Sequence, residues 1–424
     1  MNKTNDFKAS NVYRTYVLVM LTLVYVFNFI DRQLLVILQE AIKEELLLSD
    51  TQLGLLSGFT FALFYVTMGI PIARLADKSN RRNIVAISLG LWSVMTALSG
   101  LARNFLHLLL ARIGVGVGEA GGSPPAHAMI SDYFPPGKRA TALSFYSAGL
   151  YVGILIGFLM GGYLNQQLGW RTAFFVLGIP GILFSLLVYA TVREPRRGAT
   201  DRDVTNSAAT HSLVHVLKLL YSKKTFVYLA LGSGLHVFCI YGLLNWQPSF
   251  LARLHGMKTS EIGVALGLIL GCTGALGTLA GGFATDYLGK MDKRWYLKVS
   301  AIAILSSIPF VVGTLFSRDT FFSLFCLGVV NFLYSSYLGP TIAVAHLLVP
   351  ASLRALTSAI LFLVLNLIGL GFGPLVVGIV SDLLAPRLGV ESLRWAMSCI
   401  IIVGAAASVL FFGAATQLKR DLTI

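Results

Sequence analysis

The chain consists of long apolar segments separated by short basic loops, and this pattern limits the folds that it can adopt. Hydrophobic residues make up 56% of the 424 positions and charged residues only 12%, and the mean hydropathy is +0.75. A soluble protein carries about a quarter charged residues, because it must cover its surface with polar groups. The chain is therefore expected to be an integral membrane protein whose solvent is lipid.

The lengths of the apolar segments predict the number of membrane crossings. A transmembrane helix needs about 20 mostly apolar residues. On that basis we expect an all-α membrane protein of twelve transmembrane helices in two sets of six. The first set lies near 14–39, 50–75, 83–102, 105–132, 140–166 and 171–192, and the second near 225–252, 260–285, 296–316, 320–348, 354–384 and 394–415.

The two sets are separated by the most polar stretch of the chain, Arg193 to His211. After it, Leu213 to Lys224 has helical apolar spacing with lysines on its polar side, which is typical of an amphipathic helix on the membrane surface. The sequence thus predicts an N-terminal bundle (1–192), a linker with an amphipathic helix (193–224) and a C-terminal bundle (225–424).

Lysine and arginine predict the orientation. With a cytoplasmic N-terminus, cytoplasmic segments hold 23 of the 33 basic residues, the outer loops hold eight, and two lie inside spans. This bias follows the positive-inside rule, so both termini and the linker are expected in the cytoplasm of a multi-pass inner (plasma) membrane protein. The net charge of +14 accordingly indicates topology rather than nucleic-acid binding.

The two halves resemble each other at a nearly constant offset. Asp77 and Asp286 follow the second helix of each set, 209 positions apart. A Pro-x-x-x-Arg-Ala pattern that starts at Pro135 recurs 215 positions later, at Pro350. Such duplication predicts two pseudo-symmetric bundles with a substrate site between them near the bilayer midplane, as alternating access requires.

The loops carry recognisable motifs. The loop Ala73–Arg82 reads Ala-Arg-Leu-Ala-Asp-Lys-Ser-Asn-Arg-Arg, and Gly282–Lys290 is its copy in the second half. Together with Arg112-Ile-Gly-Val-Gly-Val-Gly-Glu119 they resemble the signatures of the major facilitator superfamily, which implies its fold and a monomer. Charge-assisted bonds from such loops to helix ends would latch one conformation; the alternative is that they only anchor the topology. The expected latch residues are Asp77, Lys78, Arg81, Arg82 and Asp286.

A narrower resemblance covers most of the chain. Its motifs are Phe27-Asn-Phe-Ile-Asp-Arg32, Gly116-Val-Gly-Glu-Ala120, Asp132-Tyr-Phe-Pro135, Phe145-Tyr146, Gly371-Phe-Gly-Pro374 and Ser381-Asp382. Together these are similar to the bacterial Spinster branch of the superfamily. The resemblance implies transport of lysophospholipids or sphingosine phosphate, coupled to protons.

Four ionisable residues lie deep in predicted spans: Asp31, Arg32, Arg112 and Glu119. Each charge at the bilayer centre costs about 2.5–3.5 kcal/mol on insertion scales. Counting residues along the helices places Asp31 and Arg112 at similar depths, so we expect these two to pair, and Glu119 to be available to Arg32. Two interpretations remain: ion pairs that lock the helices together, or proton coupling with Asp31 as carrier and Glu119 as the second candidate.

The second half lacks charges in the central parts of the seventh, eighth, tenth and eleventh predicted spans. A cavity with a charged N-terminal wall and an apolar, aromatic C-terminal wall would suit an amphiphile. Its headgroup would lie at Arg32 and Arg112 and its tail along the seventh and tenth spans. For each histidine or asparagine, a hydrogen bond between helices is the alternative. The expected cavity residues are Asn28, Tyr146, Tyr151, His236, Tyr241, Asn331, Tyr334, Tyr337 and Asn366.

Other function classes find no support in the sequence. It holds no phosphate-binding Gly-Lys-Ser/Thr loop, no zinc-ligand spacing and no paired nucleophile, so we expect neither an enzyme nor a cofactor or metal. Among transporters, a proton-coupled carrier of small organic anions is the main alternative to a lipid carrier, since arginine binds carboxylate as well as phosphate. A drug exporter is the third.

Overall fold

The computed structural model describes residues 10–198, 213–350 and 353–422. Nine helices in these ranges are long and apolar enough to cross a membrane. Two of the nine, Pro136–Thr191 and the nearly continuous helical run Leu356–Leu422, contain two crossings each. One further crossing is divided between two shorter helices, which gives the twelve predicted spans. The helices are α1 (Asn11–Leu46), α2 (Asp50–Lys78), α3 (Arg81–Ser99), α4 (Phe105–Glu119), α5 (Ser123–Tyr133), α6 (Pro136–Thr191), α7 (Leu213–Ser222), α8 (Lys224–His255), α9 (Thr259–Gly289), α10 (Trp295–Phe316), α11 (Thr320–Leu347), α12 (Arg354–Val364), α13 (Phe372–Leu388) and α14 (Ser392–Leu422).

The long helix α6 holds the fifth and sixth crossings. It turns back at Gly169, whose φ of 80° lies in the left-handed region that glycine adopts most readily. The fourth crossing shows the opposite arrangement, because α4 ends at Glu119 and α5 begins at Ser123. The backbone is therefore irregular just before Pro124-Pro125, immediately after a buried carboxylate.

The eleventh crossing consists of α12 and α13, joined by a π-helical turn over Leu365–Gly371. It packs closely on α2, which has its own π-helical turn over Leu55–Phe59. A Cβ atom added at Gly54 would lie 2.6 Å from the carbonyl oxygen of Pro374, so the contact depends on glycine. This close approach joins the two halves at one end of the bundle.

Each half of the chain crosses the membrane six times, so it begins and ends on the same side. Tyr13 at the start of α1 donates to the carbonyl of Thr191 at the end of α6, and Lys223 donates to the carbonyl of Asp421 at the end of α14, both at 2.9 Å. We call this side the terminal face, and the side on which α1 ends at Leu46 the opposite face.

The surface helix α7 lies at the terminal face, as its amphipathic pattern predicts. Val216 and Leu220 are buried against the second half, whereas Lys218 and Tyr221 are exposed. The helix ends at Ser222, two residues before the predicted end. Most of the preceding polar linker, residues 199–212, lies outside the described ranges.

Candidate functional site

Arg32 and Glu119 form a buried ion pair at the centre of the first half. Arg32 Nε lies 2.7 Å from Glu119 Oε2, and the glutamate side chain is fully buried. The guanidinium also lies over the rings of Phe29, Phe61 and Tyr65, with Cζ to ring-centroid distances of 5.1, 4.8 and 5.2 Å. Aromatic faces stabilise a desolvated cation, so Arg32 is held both by a carboxylate and by π-systems. Glu119 is the partner that the sequence placed within its reach.

The second expected pair, Asp31 with Arg112, is wrong. Within the described part of the chain these two residues form no ion pair, although their charges interact at longer range. Arg112 Nε instead reaches toward the carbonyl of Leu56 at 3.4 Å, and its guanidinium lies over the ring of Phe61 at 5.3 Å. The rotation of α4 directs Arg112 toward α2 rather than α1.

Asp31 is consequently a buried carboxylate without a described partner. It is 2% exposed, and neither carboxylate oxygen has a hydrogen-bond donor among the described residues. Thr96 of α3 is a polar neighbour, but its hydroxyl makes no hydrogen bond that meets the usual geometry. Burying an isolated charged carboxylate is very costly, and such a group usually neutralises by binding a proton.

A cavity of about 420 Å³ lies between the two halves, next to this charge cluster. Its volume is within the range of small-molecule sites. Arg32 is the one charged side chain among the described residues that line it. Seven of the nine expected cavity residues line it: Asn28, Tyr151, Tyr241, Asn331, Tyr334, Tyr337 and Asn366.

The other two expected residues lie behind the wall, so their assignment to it is wrong. Tyr146 is buried by stacking on Tyr25 at 4.6 Å, and its hydroxyl lies 3.4 Å from Ser123 Oγ. His236 is fully buried, with Nε2 at 3.0 Å from the carbonyl oxygen of Tyr334. Both side chains are polar enough to resemble cavity residues in sequence, but they serve contacts between helices, which was the alternative for the histidine.

Several polar lining residues were missed, because glutamine, tyrosine and serine occur widely in membrane helices without a site. The missed polar residues are Tyr25, Gln33, Tyr65, Ser123, Ser147, Gln247, Thr278 and Ser335. Gln33 had a usable signal, since it follows Asp31 and Arg32 directly in the sequence.

The expected latch residues are not brought together in this conformation. Asp77, Lys78 and Asp286 are exposed at the terminal face. Arg81, by contrast, is 4% exposed and pairs with Asp132 at 2.5 Å and with Glu194, at the start of the linker, at 2.6 Å. The backbone N–H of Arg82 donates to Glu194, and its guanidinium donates to the carbonyls of Tyr189 and Val192. The two arginines therefore brace one bundle, and the aspartates are unengaged by any described ion pair.

A charged cluster that the sequence did not reveal joins the halves at the opposite face. Arg253 of α8 lies 2.7 Å from Glu40 of α1 and 2.8 Å from Asp50 of α2. Lys43 of α1 also pairs with Asp50. The Arg253 and Asp50 side chains are only 14% and 3% exposed, so the pair is largely shielded from water.

The same cluster extends to the eleventh crossing. Asp382 of α13 accepts hydrogen bonds from the backbone N–H groups of Asp50 and Thr51, at 3.0 and 2.7 Å, and so caps the N-terminus of α2 across the interface. Ser381 donates to Asp50 at 2.6 Å. We call Glu40, Lys43, Asp50, Arg253, Ser381 and Asp382 the opposite-face cluster. Each of its contacts to Arg253 or to α13 crosses from one half to the other.

Comparison with known proteins assigns the family. The model described as "Major Facilitator Superfamily" matches residues 21–374. The chain belongs to the major facilitator superfamily. It is 34% identical to an "MFS-type efflux pump" of Mycolicibacterium smegmatis, over 95% of this chain and 92% of that protein.

Other members of the superfamily confirm the narrower resemblance. The crystal structure of a bacterial homolog to the human lysosomal transporter Spinster, in an inward-facing and unoccupied conformation, superposes with a TM-score of 0.88 at 32% identity. That match covers 97% of this chain and 99% of the other. "Protein spinster homolog 1" of Xenopus laevis is 28% identical over 96% of this chain and 82% of its own length. The chain is thus a membrane transporter of the superfamily, related to Spinster proteins.

Proposed function

We propose that the protein is a proton-coupled secondary active transporter that moves an amphiphilic anion, such as a lysophospholipid or sphingosine phosphate, by alternating access. The terminal face would be cytoplasmic in the inner membrane, as the basic residues predict. Residues 1–192 and 225–424 would act as the two moving units, linked by 193–224, in a monomer. The described conformation would then be inward-facing.

The chemistry of the cavity wall carries this proposal. Most lining residues from the first half are polar, and they include Arg32. From the second half, ten lining residues are aliphatic or phenylalanine: Val237, Ile240, Leu243, Leu244, Leu270, Leu327, Val330, Leu338, Phe362 and Leu365. A cation on one wall and a broad apolar surface on the other match a molecule with an anionic headgroup and a hydrocarbon tail.

A binding experiment tests the headgroup assignment. Removing Arg32 alone would leave Glu119 charged and unpaired, so Arg32→Gln is combined with Glu119→Gln. We expect the double variant to bind lysophosphatidic acid at least about tenfold more weakly, because a charge-assisted bond to the phosphate is gone. It should bind the uncharged monoacylglycerol as the wild type does. Arg103→Gln, at an exposed position on the opposite face, is the control. Equal losses for both lipids would refute the assignment.

Proton coupling is assigned to Asp31. Its buried carboxylate lacks a described partner and adjoins the Arg32–Glu119 pair along α1, so proton uptake there would be sensed by the residue that holds the headgroup. In proteoliposomes, Asp31→Asn should abolish transport driven by a proton gradient while keeping lysophospholipid exchange at equal pH. Full gradient-driven accumulation by this variant would remove Asp31 as the carrier and leave Glu119 as the candidate.

A carrier of small organic anions is the second candidate, and Arg32 at the cavity wall is the observation that favours it, because guanidinium binds carboxylates well. Drug export is the third, and the mycobacterial relative is named an "MFS-type efflux pump". The same proteoliposomes decide among them: a short dicarboxylate or a cationic dye that is transported, with lysophospholipid neither transported nor competing, would replace the lipid.

A further inference from the structure

Two glutamines that line the central cavity carry buried side-chain atoms without a hydrogen-bond partner among the described residues. Gln247 of α8 is 0% exposed, and neither its side-chain oxygen nor its nitrogen has a hydrogen-bond partner in the described ranges. Gln33 of α1 is 3% exposed, and its side-chain oxygen likewise has none. Both residues line the cavity. Because buried polar side chains in proteins are nearly always hydrogen-bonded, each such group requires an explanation.

A third glutamine on the same pair of helices shows what a structural amide looks like here. Gln39 of α1 donates from Nε2 to the carbonyl oxygen of Asn245 at 2.7 Å and lies 2.5 Å from Ser249 Oγ. It seals α1 against α8 between the cavity and the opposite-face cluster. Gln39 therefore serves the packing of the two helices, whereas Gln33 and Gln247 line the cavity between the same helices and keep unpartnered amide atoms.

The chemistry of an amide restricts what these side chains can bind. An amide offers two N–H donors and an accepting oxygen but no charge, so it suits a hydroxyl group or an ester or amide carbonyl rather than a second anion. Gln33 and Arg32 are neighbours on α1 and both line this cavity, which places the group that Gln33 would bind near the one that Arg32 would bind. We propose that Gln33 and Gln247 form a second subsite, which takes an uncharged hydrogen-bonding group of the substrate adjacent to its anion.

This inference rests on the proposed transport of an amphiphilic anion and narrows its substrate class. The preferred molecules would carry a hydroxyl or acyl carbonyl beside the phosphate, as glycerol-based lysophospholipids do. A plain alkyl phosphate of the same chain length and charge would fill the apolar wall and engage Arg32, but it would leave both amides unpaired.

Matched ligand pairs test the subsite in the purified full-length protein. One pair is palmitoyl lysophosphatidic acid and hexadecyl phosphate; the other, without tails, is glycerol 3-phosphate and propyl phosphate. We expect the wild type to bind the hydroxylated member about tenfold more tightly, and Gln247→Met to reduce that ratio to about twofold, mainly by weakening the hydroxylated member. Gln417→Met, a half-buried glutamine of α14 away from the cavity, should leave the ratio unchanged.

Thermal unfolding of the same variants separates a binding role from a structural one. Replacing an unpartnered buried amide by a side chain of similar shape should keep or raise the Tm of the ligand-free protein. If Gln247→Met weakens both members of a pair equally, or lowers the Tm without changing the ratio, the amide is structural and the subsite is refuted.

The tailless pair keeps the two proposals apart. If the wild type binds neither amphiphile and yet prefers glycerol 3-phosphate to propyl phosphate in a way that depends on Gln247, the lipid substrate fails and the subsite stands. If the wild type binds both members of each pair equally, the subsite fails whether or not amphiphiles bind.

Discussion

The two faces of the bundle differ in how the halves are joined. At the opposite face Arg253 connects α8 with α1 and α2, Asp382 caps the start of α2, and the backbone of α2 lies against α13 at Gly54. At the terminal face the described contacts of Arg81 and Lys223 connect neither bundle with the other, only each bundle with its adjoining end of the linker. The acidic residues of the signature loops, Asp77 and Asp286, are exposed there.

The two faces therefore carry different kinds of contact. The opposite face is closed by a shielded ion cluster together with close glycine packing, and both are specific to one arrangement of the halves. The terminal face carries the duplicated loop charges, and we propose that these find partners once the halves rotate. A transporter that alternates access needs such a balance, in which each state forms bonds that the other breaks.

The largest effect is expected at Arg253. Arg253→Gln leaves Glu40 and Asp50 without their shared cation, and breaking a buried pair in this way costs about 3–5 kcal/mol. The opposite face should therefore open. Distances between spin labels at Leu47→Cys and Val390→Cys, exposed positions on the two halves of that face, should shift to longer values.

The matched control for that experiment is Arg171→Gln. Arg171 pairs with Glu45 at 2.7 Å on the same face, but both residues belong to the first half. If Arg171→Gln opened the face as far as Arg253→Gln does, loss of any charge there would suffice, and the cluster would have no special role.

A smaller effect is expected at Gly54. A Cβ at this position meets the backbone of Pro374, which cannot yield as a flexible side chain does. Overpacking of this kind costs about 1–3 kcal/mol, so Gly54→Ala should shift the population away from the described state by about tenfold, read out by the same labels. Gly69→Ala in the same helix is the control, because a Cβ there meets nothing within 4 Å. An equal shift in both variants would contradict the packing argument.

The smallest effect is expected at Asp77. Its side chain is exposed in the described state, so Asp77→Asn should not alter the stability of that state. It should disfavour the alternate state, in which the loop is proposed to latch, by about two- to fivefold, as exposed ion pairs typically do. Substrate-induced closure of the terminal face, followed by labels on that face, should be reduced. A variant that closes as wild type does would leave the loop as a topology anchor only.

Sequence predicted the elements of this fold well, because lipid imposes length and composition on every crossing. All twelve spans agree with the described helices. Arg32 and Glu119 could be matched because their depths along α1 and α4 follow from helix geometry. Depth alone could not give the rotation of α4, so the partner of Arg112 was wrong.

The opposite-face cluster shows a second limit of prediction from the sequence. Glu40 and Lys43 lie beyond the predicted end of the first span at residue 39, yet α1 continues to Leu46 and carries both into the interface. Their partners are distant in the chain, since Asp50 and Asp382 are separated by more than three hundred residues. Nothing in the local pattern distinguishes such residues from ordinary loop charges. Only the resemblance to the Spinster branch distinguishes Ser381 and Asp382 from other residues of their span.

The central claim is that the two faces open in turn. It is tested most directly by measuring spin-label distances across both faces of the wild-type protein in nanodiscs, with and without lysophosphatidic acid, at neutral and acidic pH. We expect the two distance distributions to change in opposite directions: when the opposite face lengthens, the terminal face shortens. Faces that open together, or an opposite face that stays closed under every condition, would contradict alternating access.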